Sequence, residues 1–384
     1  MASVMDMDIS PKLAKKVYGG DGGTYYAWSP SELVMLKEAS IGASKIALEK
    51  RGLALPSYSD SAKIAYVLQV EENSTNFTSR SPELTKSMSC SMPIGRAGII
   101  LREATKEKVV AIKKGDTIAL PFGTVTWWYN PEDTELVVLF LGDTSKAHKT
   151  GQFTNFQLTG STGLFTGFST EFVSRAWDLP EAEADKLVKS QSNSGITKLK
   201  GGLDLPKPSE EDRVGMVLNC EEAPLDIDIK NGGRVVVVSS QNLPLVGEVG
   251  LGGDLVRIDA HSMCSPGFSV DSAYQVTYVI RGSGRVQIVG IDGKRVLETR
   301  LKAGCLFIVP RFFVVSKIAD ADGMDWFSII TTPNPVFTNL AGSSSVYKAL
   351  SPQVLEAAFN AAPEMEKLFR SKRTKDAVFF PPPN

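Results

Sequence analysis

The chain contains the same series of landmarks twice, and this internal repeat constrains its fold more than any other feature. The first copy runs through IAYVLQ at 64–69, KKGDTIALPFGTVTWW at 113–128 and DTELVVLFLG at 133–142. The second runs through VTYVIRGSGRVQIVG at 276–290, KAGCLFIVPRFFVVSK at 302–317 and MDWFSIITT at 324–332. A helical pattern follows each copy, from Phe168 and from Leu350. The repeat therefore predicts two similar domains in tandem.

Each copy consists of short β-branched and aromatic runs separated by Gly, Pro, Asp and Asn, over 41–145 and 214–332. Closely spaced runs of this kind are typical of antiparallel β-barrels, and 384 residues suffice for two of them. We predict a mainly β protein with an N-terminal barrel plus helices over 1–186 and a C-terminal barrel plus helices over 213–384. The polar, Gly- and Pro-rich stretch 187–212 is interpreted as the linker.

The two copies differ in length at one place. Tyr66 and Tyr278 are 212 residues apart, whereas Gly115 and Gly304 are 189 apart, so the first copy carries 23 extra residues. They fall within 70–94, whose Ser- and Thr-rich composition predicts an inserted flexible loop. In the second copy Gly282-Ser283 occupies this place and predicts a tight hairpin turn. Residues 66–68 are then expected to pair with 97–99, as 278–280 would pair with 286–288.

Charge and cysteine content exclude several classes of protein. The 42 Lys and Arg residues balance 43 Asp and Glu residues to a formal net charge of -1, which offers no basic field for nucleic acid. The four cysteines include no C-x-x-C pair, which excludes a zinc ribbon or a dense disulfide scaffold. The first residues lack the apolar core of a secretory signal, and the longest apolar runs are too short to span a bilayer. We therefore expect a cytosolic protein without nucleic-acid or membrane partners.

Residues 115–130 resemble the second sequence motif of the cupin superfamily, which runs Gly, five residues, Pro-x-Gly, two residues, His, three residues and Asn. Thr126 replaces the His, and the residues in register are Gly115, Pro121, Gly123 and Asn130. The second copy keeps the first Gly and the Pro and places Phe312 and Val315 at the other key positions. Two such barrels, each followed by helices, resemble the legumin-type seed globulins and their glutelin-like relatives. This resemblance implies jelly-roll barrels, a nutrient-reservoir role without catalysis, and a homotrimer.

One departure from that family concerns proteolytic processing. Legumin precursors carry Asn-Gly-Glu-Glu at the processing site, followed by a Cys that makes the interchain disulfide. Here the segment 219–225 reads NCEEAPL, so Cys220 replaces the Gly and Leu225 stands about where the bonding Cys would be. The resemblance therefore points to an unprocessed, cytosolic relative.

A second departure concerns metal binding. Metal-binding cupins direct His-x-His, a Glu and the His of the second motif into the barrel. The matching positions are Ser57, Ser59, Lys63 and Thr126 in the first copy and Phe268, Val270, Gln275 and Val315 in the second. An ammonium repels a cation and hydroxyls bind transition metals weakly, so we expect no metal and no other cofactor. The apolar members of the second set predict a packed core.

The polar set of the first barrel leaves two interpretations open. Lys63 could extend to the rim while the hydroxyls bond to backbone or water. Alternatively, Ser57, Ser59, Lys63 and Thr126 could hold a small polar or anionic ligand, which would make the protein a ligand carrier or sensor. A third function, a metal-independent isomerase or lyase, would use Asp259 and His261, which are two residues apart and could share a strand face.

The helical segments carry apolar stripes. Apolar residues recur at the spacing of one helix face at Phe172, Val173, Ala176 and Trp177, and again at Val354, Leu355, Ala358 and Phe359. The flank of one barrel can cover only part of such stripes. The pattern therefore predicts self-association through the helices, and the resemblance makes a trimer the expected form.

Overall fold

The computed structural model describes residues 7–69, 95–201, 203–375 and 377–382, and the predicted loop at 70–94 lies outside them. It confirms a mainly β protein with two barrels, each followed by helices. The strands before residue 200 are β1 (Lys12–Leu13), β2 (Lys15–Gly20), β3 (Gly23–Ala27), β4 (Ile41–Leu48), β5 (Gly52–Ser59), β6 (Ala62–Gln69), β7 (Gly95–Ile100), β8 (Lys108–Ile112), β9 (Asp116–Leu120), β10 (Val125–Tyr129), β11 (Leu136–Asp143), β12 (Asn155–Gln157) and β13 (Ile196–Lys198).

The strands after residue 200 repeat this series in a more continuous form. They are β14 (Val217–Asn219), β15 (Ile227–Ile229), β16 (Gly233–Val238), β17 (Gly252–Ile258), β18 (Met263–Cys264), β19 (Gly267–Ser269), β20 (Gln275–Val289), β21 (Arg295–Lys302), β22 (Cys305–Val309), β23 (Val314–Ile330), β24 (Phe337–Asn339) and β25 (Phe379–Phe380).

The helices are short and lie mainly after each barrel. They are α1 (Met35–Glu38), α2 (Thr170–Trp177), α3 (Glu181–Lys189), α4 (Glu210–Arg213), α5 (Val246–Val249), α6 (Val346–Ala349), α7 (Pro352–Phe359) and α8 (Pro363–Ser371), with a 3₁₀ turn at Leu164–Gly167. Helix α7 begins after Ser351 with proline at its first position, where the missing N–H costs nothing.

Two antiparallel sheets enclose the interior of the N-terminal barrel. One has the order β12-β5-β10-β7-β8 with β13 also on β5, and the other has the order β14-β9-β6-β11-β4-β3-β2. In the C-terminal barrel the corresponding strands form one twelve-stranded sheet with the central order β22-β20-β23-β17-β16-β15.

The predicted hairpin turn at Gly282-Ser283 is wrong. Strand β20 runs through both residues and pairs with β23 on either side of an irregularity. Gly282 has a φ of 75°, and a Cβ there would lie 2.0 Å from the carbonyl oxygen of Gly323, so glycine permits a bulge that bends a continuous strand. A glycine between two apolar runs fits a turn and a bulge equally well, which is why the sequence pattern misled.

The predicted pairing of residues 66–68 with 97–99 is wrong for the same reason. Strand β6 pairs with β9 and β11, whereas β7 pairs with β8 and β10. Together β6 and β7 correspond to the single long strand β20. Segment 70–94 therefore interrupts the place where the second barrel has one bent strand.

Each barrel receives a strand from outside its predicted boundaries. Near the N-terminus, β1 pairs with β22 of the C-terminal barrel, and β14 pairs with β9 of the N-terminal barrel. Within the predicted linker 187–212, β13 pairs with β5. The two barrels thus exchange edge strands.

Burial divides the protein into two apolar cores. One fills the N-terminal barrel, and the other is continuous from the contact between the barrels into the C-terminal barrel. Strands β4, β6 and β11 are buried on both faces, which explains the uninterrupted apolar run LVVLFL. At the contact between the barrels, the rings of Tyr66 and Phe327 stack with centroids 4.2 Å apart.

Candidate functional site

The N-terminal barrel encloses very little free space. Ser57 on β5, Lys63 on β6 and Thr126 on β10 line one cavity of about 30 Å³, and Ser59 does not line it. That volume accommodates one or two water molecules. A binding role for the four residues stays a prediction, and the cavity limits it to species of about that size.

The side chain of Lys63 is buried, which contradicts the interpretation that it extends to the rim. It is 7% exposed, and its Nζ lies 5.1 Å from the ring centroid of Phe140 and 5.0 Å from that of Phe153. Burial lowers the pKa of this ammonium to about 8, and the charge of Asp60 opposes the shift. The aromatic faces stabilise the cation where no carboxylate is in ion-pair contact among the described residues.

Replacement of Lys63 by methionine should raise the free energy of unfolding by about 2–3 kcal/mol at pH 7. Below pH 8 the ammonium of Lys63 stays charged inside the folded barrel, whereas in the unfolded chain water solvates it. Between pH 8 and 10.5 the folded chain releases the proton first, so the advantage should fade over that range. Urea denaturation at pH 7 and pH 10.5 measures this gain in stability, with Lys198→Met, at an exposed lysine at the end of β13, as the control. An equal gain at both pH values would contradict this account.

Two aromatic rings occupy the interior of this barrel. Trp128 and Phe140 meet edge to face with centroids 5.3 Å apart, and the Trp128 Nε1 donates to Thr126 Oγ1 at 3.2 Å. These rings leave the small cavity described above.

The C-terminal barrel is not the packed core that the sequence predicted. It contains a cavity of about 310 Å³, of which Gln275 and Val315 line part. Val270 follows the short strand β19 and is 43% exposed, and Phe268 is partly exposed, so neither fills the interior.

Strand pairing explains the difference in volume between the barrels. Trp128 pairs with Ala97 in β7, and Lys317 pairs with the equivalent Val286 in β20. Phe140 pairs with Ser44 in β4, and Ser328 pairs with the equivalent Asp254 in β17. A lysine and a serine therefore stand where the first barrel has its two aromatic rings.

The larger cavity contains buried polar groups. Asp254, Gln275 and Lys317 are all buried, the last only 3% exposed, and Lys317 Nζ lies 4.4 Å from the ring centroid of Trp326. Burial raises the pKa of Asp254 to about 6, opposed by Lys317 and Ser328, and it lowers the pKa of Lys317. Among the described residues, three side-chain atoms here have no hydrogen-bond partner, namely Asp254 Oδ1, Gln275 Oε1 and Trp326 Nε1.

Asp254 and Lys317 were not predicted as site residues from the sequence, although a signal was present. Asp254 alternates with Val256 and Ile258 along β17, and Lys317 lies between Val315 and Ala319 on β23. Residues two apart share one face of a strand. A charged residue on an inward-facing apolar stripe therefore marks an unusual interior.

Asp259 and His261 do not form the pair that an isomerase or lyase would need. Strand β17 ends at Ile258, and His261 is exposed in a left-handed turn with a φ of 58°. Asp259 faces Arg234 at 3.7 Å, and neither Asp259 nor His261 lines the cavity of either barrel.

In the part of the chain that the structure describes, no group of three or more His, Cys, Asp or Glu side chains is placed to hold a metal ion. None of the helices within 7–69, 95–201, 203–375 and 377–382 is long and apolar enough to cross a membrane.

Comparison with known proteins gives consistent matches over nearly the whole chain. The family model described as "Cupin" matches residues 10–185 and 218–367. Glutelin type-D 1 of Oryza sativa subsp. japonica is 25% identical over 419 residues, covering 96% of this chain and 85% of that protein. The 11S globulin seed storage protein 2 of Sesamum indicum is 23% identical, covering 94% and 88%. In structure, procruciferin, the 11S globulin from Brassica napus, aligns with a TM-score of 0.84 at 21% identity, over 98% of this chain and 97% of that one.

Proposed function

Because the chain belongs to the cupin family, in the two-barrel form of the legumin-type seed globulins, we propose that it is a nutrient reservoir without catalytic activity. One observation carries this proposal: no imidazole or carboxylate stands at the metal-ligand positions of either barrel. The first barrel instead places the buried ammonium of Lys63 there, and the second places Gln275 and Val315. This donor set does not fit a divalent metal.

The reservoir role predicts a particular pattern of abundance. The protein should accumulate to high levels in a storage tissue of the organism that makes it, and should fall when reserves are mobilised. Quantitative proteomics across development would measure this, together with elemental analysis of the purified protein. A constant low level in all tissues, or a stoichiometric transition metal, would contradict the proposal.

We also propose that three copies associate through the helices that follow the barrels. Phe172 and Trp177 on α2 are 66% and 54% exposed, although Val173 between them is buried. On α7, Val354 and Phe359 are similarly exposed beside the buried Leu355. Two different apolar faces, one after each barrel, favour a head-to-tail contact, and three such contacts can close into a ring.

The trimer proposal can be tested by adding one charge. Phe172→Glu should convert a species of three times 41.5 kDa into a monomer, because burial of an unpaired carboxylate in an apolar contact is costly. Multi-angle light scattering at micromolar concentration measures the mass. Ile291→Glu, at an exposed apolar residue between β20 and β21, is the control. A wild-type monomer, or an unchanged mass for Phe172→Glu, would contradict the proposal.

A cytosolic, unprocessed chain is our third proposal, and the surroundings of Asn219 support the absence of processing. This side chain is buried, donates to Lys114 O at 2.8 Å and Asp116 Oδ1 at 2.7 Å, and accepts from the backbone N–H groups of Glu221 and Glu222 at 3.0 Å. A protease cannot reach a bond held in this way without local unfolding. Immunoblotting of the cytosolic fraction should detect one 41.5 kDa chain, and two fragments in a vacuolar fraction would refute this.

A further inference from the structure

We propose that the cavity of the C-terminal barrel is a binding site for a small uncharged molecule that has one ring and one amide or hydroxyl end. The site is centred on Asp254, Gln275 and Lys317. It is separate from the reservoir role, which concerns the abundance of the protein, so either proposal can fail alone.

The cavity contains polar side-chain atoms that lack hydrogen-bond partners among the described residues. Buried polar groups are almost always hydrogen-bonded, because each unsatisfied group costs free energy. Here Asp254 Oδ1, Gln275 Oε1 and Trp326 Nε1 lack partners among the described residues, and all three residues line one cavity. Two acceptors and one donor are therefore available to a ligand that has both a hydrogen-bond donor and an acceptor.

The charges that line the cavity favour an uncharged ligand. Lys317 is buried without an ion pair among the described residues, and its charge balances that of Asp254 in the same cavity. A carboxylate ligand would add a second negative charge near Asp254, and an ammonium ligand would add a second positive charge near Lys317. The remaining titratable group on the wall, the thiol of Cys264, stays neutral because burial raises its pKa to about 12. An amide is uncharged and supplies N–H donors to the acceptors and a carbonyl oxygen to Lys317 and Trp326.

The size and shape of the cavity suit a ligand with a single ring. A cavity of about 310 Å³ stands at the lower end of the range of about 300–1,000 Å³ for ligand pockets, which suits one ring with a short substituent. Apolar side chains form most of its wall, including Val235, Val256 and Phe379. Phe337, which is 40% exposed, also lines the cavity, so the cavity reaches the surface beside β24.

Three probes of nearly equal size distinguish between an uncharged, an anionic and a cationic ligand. Benzamide is uncharged, benzoate is an anion and benzylamine is a cation at pH 7.5. Calorimetry and saturation-transfer NMR on the full chain should show that benzamide binds and that benzoate and benzylamine bind at least tenfold more weakly. Lys317→Met should lower the affinity for benzamide at least tenfold, because it removes the ammonium but keeps most of the side-chain volume.

A filling variant tests the location of the site. Ser328→Phe introduces the residue type that stands at the equivalent position of the first barrel and should abolish benzamide binding. Circular dichroism checks that this variant folds, and Gln275→Leu, with an expected loss of at least fivefold, decides the question if it does not. Lys45→Met, at a partly buried lysine beside Tyr26 in the first barrel, should bind like the wild type.

Several results would overturn the proposal. Absence of benzamide binding at millimolar concentration would show that the cavity holds water only. Unchanged affinity in Lys317→Met or in folded Ser328→Phe would place the probe elsewhere. Tighter binding of benzoate or benzylamine than of benzamide would overturn the assignment of an uncharged ligand.

Discussion

Phe327→Ala is expected to lower the free energy of unfolding by about 3–5 kcal/mol. The ring is fully buried and stacks on Tyr66, so it belongs to the core that joins the two barrels. Removal of the ring leaves a cavity that neither barrel can fill by itself. The effect should reach both barrels, because their contact is continuous with the core of the second.

Urea denaturation followed by tryptophan fluorescence measures this loss. Phe122→Ala removes the same ring from an exposed loop and should change the free energy of unfolding by less than about 0.5 kcal/mol. A loss below 1 kcal/mol for Phe327→Ala would mean that the barrels are held together by other contacts.

Arg213→Met is expected to destabilise the protein by about 3–5 kcal/mol, because it leaves a buried carboxylate without its cation. Asp116 is fully buried, and its two oxygens accept from Arg213 Nη1 at 2.9 Å and Nη2 at 2.5 Å. The same carboxylate also accepts from Asn219 Nδ2 and from the backbone N–H of Lys113. Arg213 follows the predicted linker, so the ion pair fastens that segment to the first barrel.

The comparison with an exposed pair isolates the effect of burial. Arg175 and Glu171 form an i,i+4 pair on the surface of α2 at 2.9 Å, and Arg175→Met should cost less than about 0.5 kcal/mol. Thermal or urea denaturation of both variants gives the comparison. Similar losses of stability for Arg213→Met and Arg175→Met would show that the buried ion pair stabilises the fold no more than the exposed one.

The two-barrel fold could be predicted because the repeat and the cupin-like motif both follow from local spacing. Gly115, Pro121, Gly123 and Asn130 determine a strand, a turn and the next strand within sixteen residues. Asn130 illustrates this, since its amide donates to Leu48 O and to Thr134 O, both at 2.8 Å. Features set by distant residues were predicted less well. The bend at Gly282 depends on the approach of Gly323, 41 residues away, and no local pattern records it.

The free volume inside each barrel also depends on residues that are distant in the sequence. Four positions per barrel were considered from the sequence; for the polar set a filled interior and a ligand site both stayed open, and the apolar set was predicted to pack. Volume is decided by neighbours on other strands, Trp128 and Phe140 in one barrel and Lys317 and Ser328 in the other. The predicted packing of the second barrel is therefore wrong, because the four positions considered there do not include Lys317 and Ser328.

The exchange of edge strands has a consequence for synthesis on the ribosome. Strand β9 obtains its outer partner β14 through pairs such as Asp116 with Asn219, which are 103 residues apart. At about 5–20 residues per second, the nascent N-terminal barrel waits roughly 5–20 s for that partner to be translated. During this interval the edge of β9 is open, and an open edge pairs readily with strands of other chains. The first barrel is thus complete only after translation has entered the second, so its open edge persists for longer than the sequential domain order suggests.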